Sequence, residues 1–119
     1  MLETDNVIQN KSFKFALSIV DLYKILKVEN EFIISKQLLR SGTSIGANVE
    51  EALQGQSNAD FIAKLSISLK EAVETRYWLK LLKYSNFINF ENFDKYISDV
   101  NEIINILTKI IKTSKSKNK

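Results

Sequence analysis

Apolar residues recur along this chain every three or four positions, in four blocks separated by short polar breaks. In the first block Ile8, Phe15, Ile19, Leu22 and Leu26 share one face of a 3.6-residue helix, with Ala16 and Tyr23 beside them. The spacing predicts a helix from Asp5, a candidate N-cap, to Lys27, ended by the polar run Glu29 to Glu31. The second block spans Phe32 to Gln54. Its main stripe is Ile34, Leu38, Ser41, Ile45, Val49 and Ala52, and a second stripe of Leu39, Gly42, Gly46 and Leu53 lies directly beside it. A buried surface that wide exceeds what a helix packed on one side needs. Gly55 stands where a C-terminal cap is expected.

Ser57-Asn58-Ala59-Asp60 resembles a capping box with Asp in the Glu position, and predicts a third helix reaching Ser85. At ~1.5 Å per residue that helix is roughly 40 Å long. Phe61, Leu65, Leu69, Ala72 and Leu79 line one face, and Ile67, Glu71, Glu74, Trp78 and Leu82 line another. Two occupied faces imply contact with its own bundle on one side and with something else on the other. Arg76 projects near the first face, its stem along apolar surface and its head toward water. After a turn at Asn86 to Asn89, Phe93, Ile97, Val100, Ile104, Leu107 and Ile111 mark a fourth helix from Glu91 to Lys112. Four helices of about 22–28 residues with short connections predict antiparallel neighbours, hence an all-α, antiparallel up-down-up-down four-helix bundle. The bundle is expected over residues 1–112, and 113–119, TSKSKNK, as a disordered Lys-rich tail.

Composition sharpens this picture. With no Pro and only 3 Gly in 119 residues, turn chemistry for a β-rich fold is missing. The 45% hydrophobic content supports one domain with a real core. The absence of Cys removes disulfides, thiolate nucleophiles and Cys zinc sites, and the absence of His removes the commonest general base and metal ligand. No apolar run approaches the ~18 residues of a membrane span, and MLETDN does not read as a signal peptide. The expectation is a soluble, cytoplasmic protein. Four of the 17 basic residues, Lys112, Lys115, Lys117 and Lys119, lie within residues 112–119, which leaves 13 against 14 acidic residues in the rest of the chain. The net charge of +3 therefore belongs to the tail, not to a basic face.

The stretch RSGTSIGANVEEA, Arg40 to Ala52, sets Gly42 and Gly46 inside a helix, where each costs roughly 0.8–1 kcal/mol relative to Ala. Gly42-x-x-x-Gly46, with Ser41, Ser44 and Ala47 around it, reads as a small-residue seam for close helix approach. If the second and third helices form a hairpin, Arg40 faces Glu71 within a turn of Glu74, and Asn48 faces Ala63 near Lys64. An Arg40 ion pair with Glu74 or Glu71 fixes register between the helices. If partly buried, losing one partner costs ~3–5 kcal/mol. Glu71 and Glu74 also have the i, i+3 spacing of dimetal carboxylate bundles, but those sites pair Glu with an i+3 His. Hence no metal site, no catalytic residue and no cofactor is expected. Glu50-Glu51 reads as one network member and one solvated charge, and Trp78 as a core aromatic rather than a base-stacking platform. The structural network is thus Arg40, Gly42, Gly46, Asn48, Glu51, Glu71, Glu74 and Trp78.

RSGTSIGANVEEA, then GQSNADFIAKLSISLKEAVETRYWLKLL from Gly55 to Leu82, together with KSFKFA at Lys11 and LYK at Leu22, closely resembles the bacterial four-helix-bundle proteins encoded within intervening sequences of 23S rRNA genes. That resemblance implies an antiparallel four-helix bundle and a ring-like homopentamer. It also implies kinship with the accessory protein of diversity-generating retroelements, which works with a reverse transcriptase and RNA. The family pattern holds no catalytic residues to carry over. The function implied is a non-catalytic oligomeric accessory protein that associates with structured RNA or with an RNA-processing or reverse-transcribing partner. The alternative is a protein-interaction scaffold without nucleic-acid affinity. Convergence of Lys11, Lys14, Lys36 and Lys83 on one oligomer face, with Lys112, Lys115, Lys117 and Lys119 adding avidity, marks the first. An apolar or mixed-charge groove marks the second, and an enzyme would need strongly perturbed carboxylates or lysines in a pocket.

Overall fold

The computed structural model describes residues 6–88 and 91–117, and its four helices are α1 (Val7–Val28), α2 (Ile34–Leu53), α3 (Asn58–Ser85) and α4 (Phe93–Ser116). Neighbours in sequence are neighbours in space. α1 packs on α2, α2 on α3 and α3 on α4, while α4 returns to α1 along a thinner seam and, among the described residues, the backbones of the diagonal pairs do not approach one another. Lys83 near the end of α3 pairs with Asp94 at the start of α4, and Asn58 at the start of α3 donates to Ser114 near the end of α4. That pattern makes the bundle antiparallel, with extents of 49 × 27 × 21 Å.

The core is aliphatic. Ile19, Leu22 and Leu26 of α1 meet Leu38, Ile45 and Val49 of α2, Leu65, Leu79 and Leu82 of α3, and Val100, Ile103 and Leu107 of α4, all essentially removed from solvent. Each such side chain contributes about 1.5–3 kcal/mol by burial. The expected stripe of α1 is the buried one. On α3 the core face is rotated from the expected stripe: Leu82 lies in the core with Ser68 and Thr75, while Phe61 and Leu69 are only partly buried. On α4, Ile103 takes a core position and Ile97 and Ile104 flank it.

Helix ends follow local chemistry. Asn6 caps α1 by accepting from the Gln9 N–H at 2.9 Å, and the expected cap Asp5 lies outside the described residues. α1 closes on Asn30, whose φ of 63° is left-handed; its N–H reaches Lys27 O and the Glu31 N–H reaches Leu26 O. This is a Schellman closure with Asn in the glycine position. Ser57 caps α3 by accepting from the Asp60 N–H at 3.1 Å, and Asn86 ends it at φ 55°. Gly55 is not the left-handed cap of α2: Gln54 closes that helix in right-handed geometry, and the Gly55 N–H donates to Ala52 O.

The tail expected from residue 113 is helical through Ser116. Ser114 is buried and its carbonyl accepts from the Asn58 side chain, because α4 continues far enough to cover the first turn of the 28-residue α3. Of the expected tail, residues 118–119 lie outside the described residues, as does the turn residue Asn89.

Candidate functional site

α2 carries two different seams on adjacent faces. Toward α1, a Cβ built on Gly42 would lie 2.9 Å from Ile19 Cγ2, and one on Gly46 would lie 3.3 Å from the Ser12 carbonyl oxygen. Both glycines therefore serve the approach of α1. Toward α3, the Ser68 hydroxyl donates to Ile45 O at 2.8 Å. The Thr75 hydroxyl lies 2.9 Å from the Ser41 hydroxyl and 2.7 Å from Glu71 O. These short side chains bond one another or a backbone carbonyl within the seam, as buried polar groups require.

At the edge of the α2–α3 seam, Arg40 Nη1 lies 3.0 Å from Glu71 and Nη2 lies 2.6 Å from Glu74. The Arg40 side chain is 50% exposed, Glu74 34% and Glu71 17%, so the clamp sits half in water. The hydrogen bond to Glu74 raises the Arg40 pKa above its ordinary value, with the Glu71 charge adding to it and desolvation opposing. Glu51 does not join this clamp; it pairs with Lys64 at 3.2 Å, lower on the same seam. Glu50 is not simply solvated, because Gln9 Nε2 donates to both of its carboxylate oxygens at 2.9 and 3.1 Å and ties α1 to α2. Asn48 turns back into its own helix and donates to Ser44 O at 2.9 Å. Trp78 packs edge-to-face on Tyr77, centroids 5.2 Å apart, and its buried indole N–H has no acceptor among the described residues.

The lysines do not gather on one face of the subunit. Lys11 pairs with Glu102 and Lys83 with Asp94. Lys14 lines the α1–α4 groove beside Lys95 and Asp99. Lys36 is exposed in the first turn of α2, at the end of the bundle where Lys83 also lies. Lys112, Lys115 and Lys117 are exposed at the opposite end, on and just past the last turns of α4, and Lys119 lies outside the described residues.

Two surface features escaped the periodicity. Leu69, Val73 and Tyr77, spaced i, i+4 and i+8, form an apolar outer face on α3 with Trp78 beside them and Lys70 and Glu74 at its rim. Tyr77 is 59% and Val73 43% exposed. The second face expected from the sequence was misassigned, since Leu82 is core and Glu71 and Glu74 turn to Arg40. The other feature is a hollow of about 240 Å³ over the α1–α2 seam, lined by Ser12, Phe13, Ala16, Thr43, Gly46, Ala47 and Glu50. A further unanticipated group is Glu31, buried in the α1–α2 connection. Its carboxylate accepts from the Ser35 N–H at 2.6 Å, and the Ser35 hydroxyl returns a bond to Glu31 O at 2.8 Å. The carboxylate thus caps α2, whose N-cap residue Ile33 has no capping side chain.

Among the described residues, no three carboxylates are placed to hold one metal ion, and no helix is long and apolar enough to cross a membrane. Residues 4–109 match the sequence profile described as 23S rRNA-intervening sequence protein. The chain is also similar to a crystallised protein of unknown function from the S23 ribosomal protein family of Bacteroides thetaiotaomicron VPI-5482. The two are 55% identical over 91% of this chain and 97% of that one, and superpose with a TM-score of 0.86. Among curated proteins none matches the chain.

Proposed function

The chain belongs to the 23S rRNA-intervening sequence protein family, and on that premise we propose that it is a cytoplasmic, non-catalytic, self-associating interaction module, with the homopentamer its resemblance implies as the assembled form. The observation that carries this reading is the outer face of α3, where Val73 and Tyr77 stay open to water although the helix already has a complete inner face. Apolar side chains exposed on successive turns of one helix face support an interaction role for that face. The carboxylates nearest that face support a structural role, since Glu71 and Glu74 both engage Arg40 rather than a vacant pocket. Light scattering on the full chain tests the proposal: a mass several times 13.7 kDa is expected, and a monomer at every concentration overturns it.

A second reading, contact with structured RNA or with an RNA-processing or reverse-transcribing enzyme, rests on the end of α4. There Lys109, Lys112, Lys115 and Lys117 are exposed and held in helical or near-helical backbone. Lysines that neutralise phosphates release counterions and make binding fall with salt. Truncation would remove the buried Ser114, so Lys112→Gln, Lys115→Gln and Lys117→Gln together are the cleaner probe. Salt-sensitive RNA binding that flattens in the triple variant is expected on this reading; absent or salt-independent binding removes it.

A further inference from the structure

We infer that the cleft at the end of the bundle where α1 begins and α4 finishes binds a single-chain aliphatic anion, such as a free fatty carboxylate. The hydrocarbon chain lies in the cleft and the charged head lies among the lysines at the end of α4. This goes beyond self-association and does not depend on it.

The cleft selects the chain. All four helices line it, and its volume is about 360 Å³. Its back wall is Ile8, Val49 and Leu65, each essentially removed from solvent, so the cleft reaches the core instead of lying on the surface. Val7, 58% exposed, stands at its mouth, and Ile106 lines it from α4, the helix that meets α1 along the thinner seam. Among the described residues lining the cleft, the one polar side chain is Asn6, and its Oδ1 is already engaged in capping α1. The lining side chains therefore favour hydrocarbon over a polar guest. A dry cavity of ~150 Å³ holds the six carbons of benzene, so this cleft suits a chain of roughly a dozen. The volume also falls within the range of about 300–1,000 Å³ usual for small-molecule sites.

The neighbouring hollow selects the head. Phe61 and Ile110 form walls of both the cleft and a second hollow of about 320 Å³, which Thr113, Lys109 and Lys117 complete. An occupant that passes these shared walls leaves apolar surface and meets two ammonium groups. Both lysines are exposed, and neither is in an ion pair among the described residues. From Ile103 to Lys117 the chain carries Lys109, Lys112, Lys115 and Lys117 and no carboxylate side chain. Asp60, in the first turn of α3, lines neither hollow: its Cβ lies 3.4 Å from a Cβ built on Gly55, toward the α2–α3 turn. The head site thus offers positive charge that the described residues leave uncompensated, and an anion complements it.

Isothermal titration of the full chain with decanoate, below the concentration at which it forms micelles, tests the site. Saturable binding of one molecule per chain is expected, with decanol, the uncharged counterpart, at least about tenfold weaker. Lys109→Gln together with Lys117→Gln alters two exposed positions and is expected to abolish that preference while leaving decanol affinity within about twofold of wild type. Ile106→Trp fills the cleft from a half-buried position and is expected to weaken both ligands at least about tenfold with helicity retained. Should that variant lose helicity, Val7→Trp at the exposed mouth supplies the same block. Equal affinity for acid and alcohol, unsaturable binding of many molecules per chain, or unchanged affinity in a helical blocked variant overturns the site. Co-sedimentation with phosphatidylglycerol vesicles without saturable decanoate binding assigns the lysines to a bilayer surface and overturns it as well.

Discussion

Arg40 and Glu74 stand 34 positions apart in sequence and 2.6 Å apart in the fold, and with Glu71 they pin α2 against α3. A clamp half in water sets register more than it adds stability, because solvent screens it and two long side chains are ordered to make it.

Arg40→Ala is therefore expected to cost about 1 kcal/mol in urea unfolding, short of the ~3–5 kcal/mol of a broken buried pair. The loss is expected to shrink with added salt. A cost near zero contradicts the clamp, and one above about 3 kcal/mol means that Glu71 behaves as a buried, orphaned charge.

The two glycines of α2 are expected to differ. An alanine at either gains up to ~1 kcal/mol of helix propensity. At Gly42 the new methyl meets the fully buried, β-branched Ile19 at 2.9 Å, and overpacking of about 1–3 kcal/mol outweighs that gain. At Gly46 the nearest atom is 3.3 Å away, so the two effects nearly cancel. Thermal unfolding of Gly42→Ala and Gly46→Ala checks the order; equal effects contradict it.

Glu31→Ala removes the side-chain cap of α2 and leaves the Ser35 N–H without its carboxylate. Loss of a cap costs about 0.5–2 kcal/mol. Hydrogen exchange is expected to accelerate in the first turn of α2 and not in α3. Uniform acceleration would mean that the residue acts on the whole core instead.

Tyr96 of α4 has its pKa raised, first by burial and then by the negative charge of Asp21 on α1. The folded protein therefore holds the phenolic proton longer than the unfolded chain, whose tyrosine titrates near ~10. The stability this group contributes is complete below that pH and is lost as pH rises through the folded value. Tyr96→Phe is expected to flatten the alkaline fall of stability, with Asp21→Asn doing so in part. An unchanged pH profile in both contradicts the assignment.

The architecture was legible because α1 buries one stripe at a 3.6-residue period, α2 carries a main buried stripe with the Gly42 and Gly46 seam beside it, and Ser57 and Asp60 announce α3. α3 was harder to read. Its core includes Ser68 and Thr75, whose hydroxyls are satisfied by Ile45 O, Ser41 and Glu71 O, so a hydropathy pattern discounts them. That shifted the apparent face and hid the Leu69-Val73-Tyr77 ridge. The Arg40 clamp was legible from hairpin arithmetic alone, whereas Asn48 was not, because an Asn within a helix can bond its own i−4 carbonyl. Glu31 read as part of a polar break, yet Asn30 before it carried the signal of a left-handed helix closure.

Whether a second copy covers the outer face of α3 is decided by native mass spectrometry of wild type and Tyr77→Asp at matched concentration. A wild-type assembly of several 13.7 kDa chains and a monomeric, equally helical variant are expected. The same mass for both proteins would contradict it.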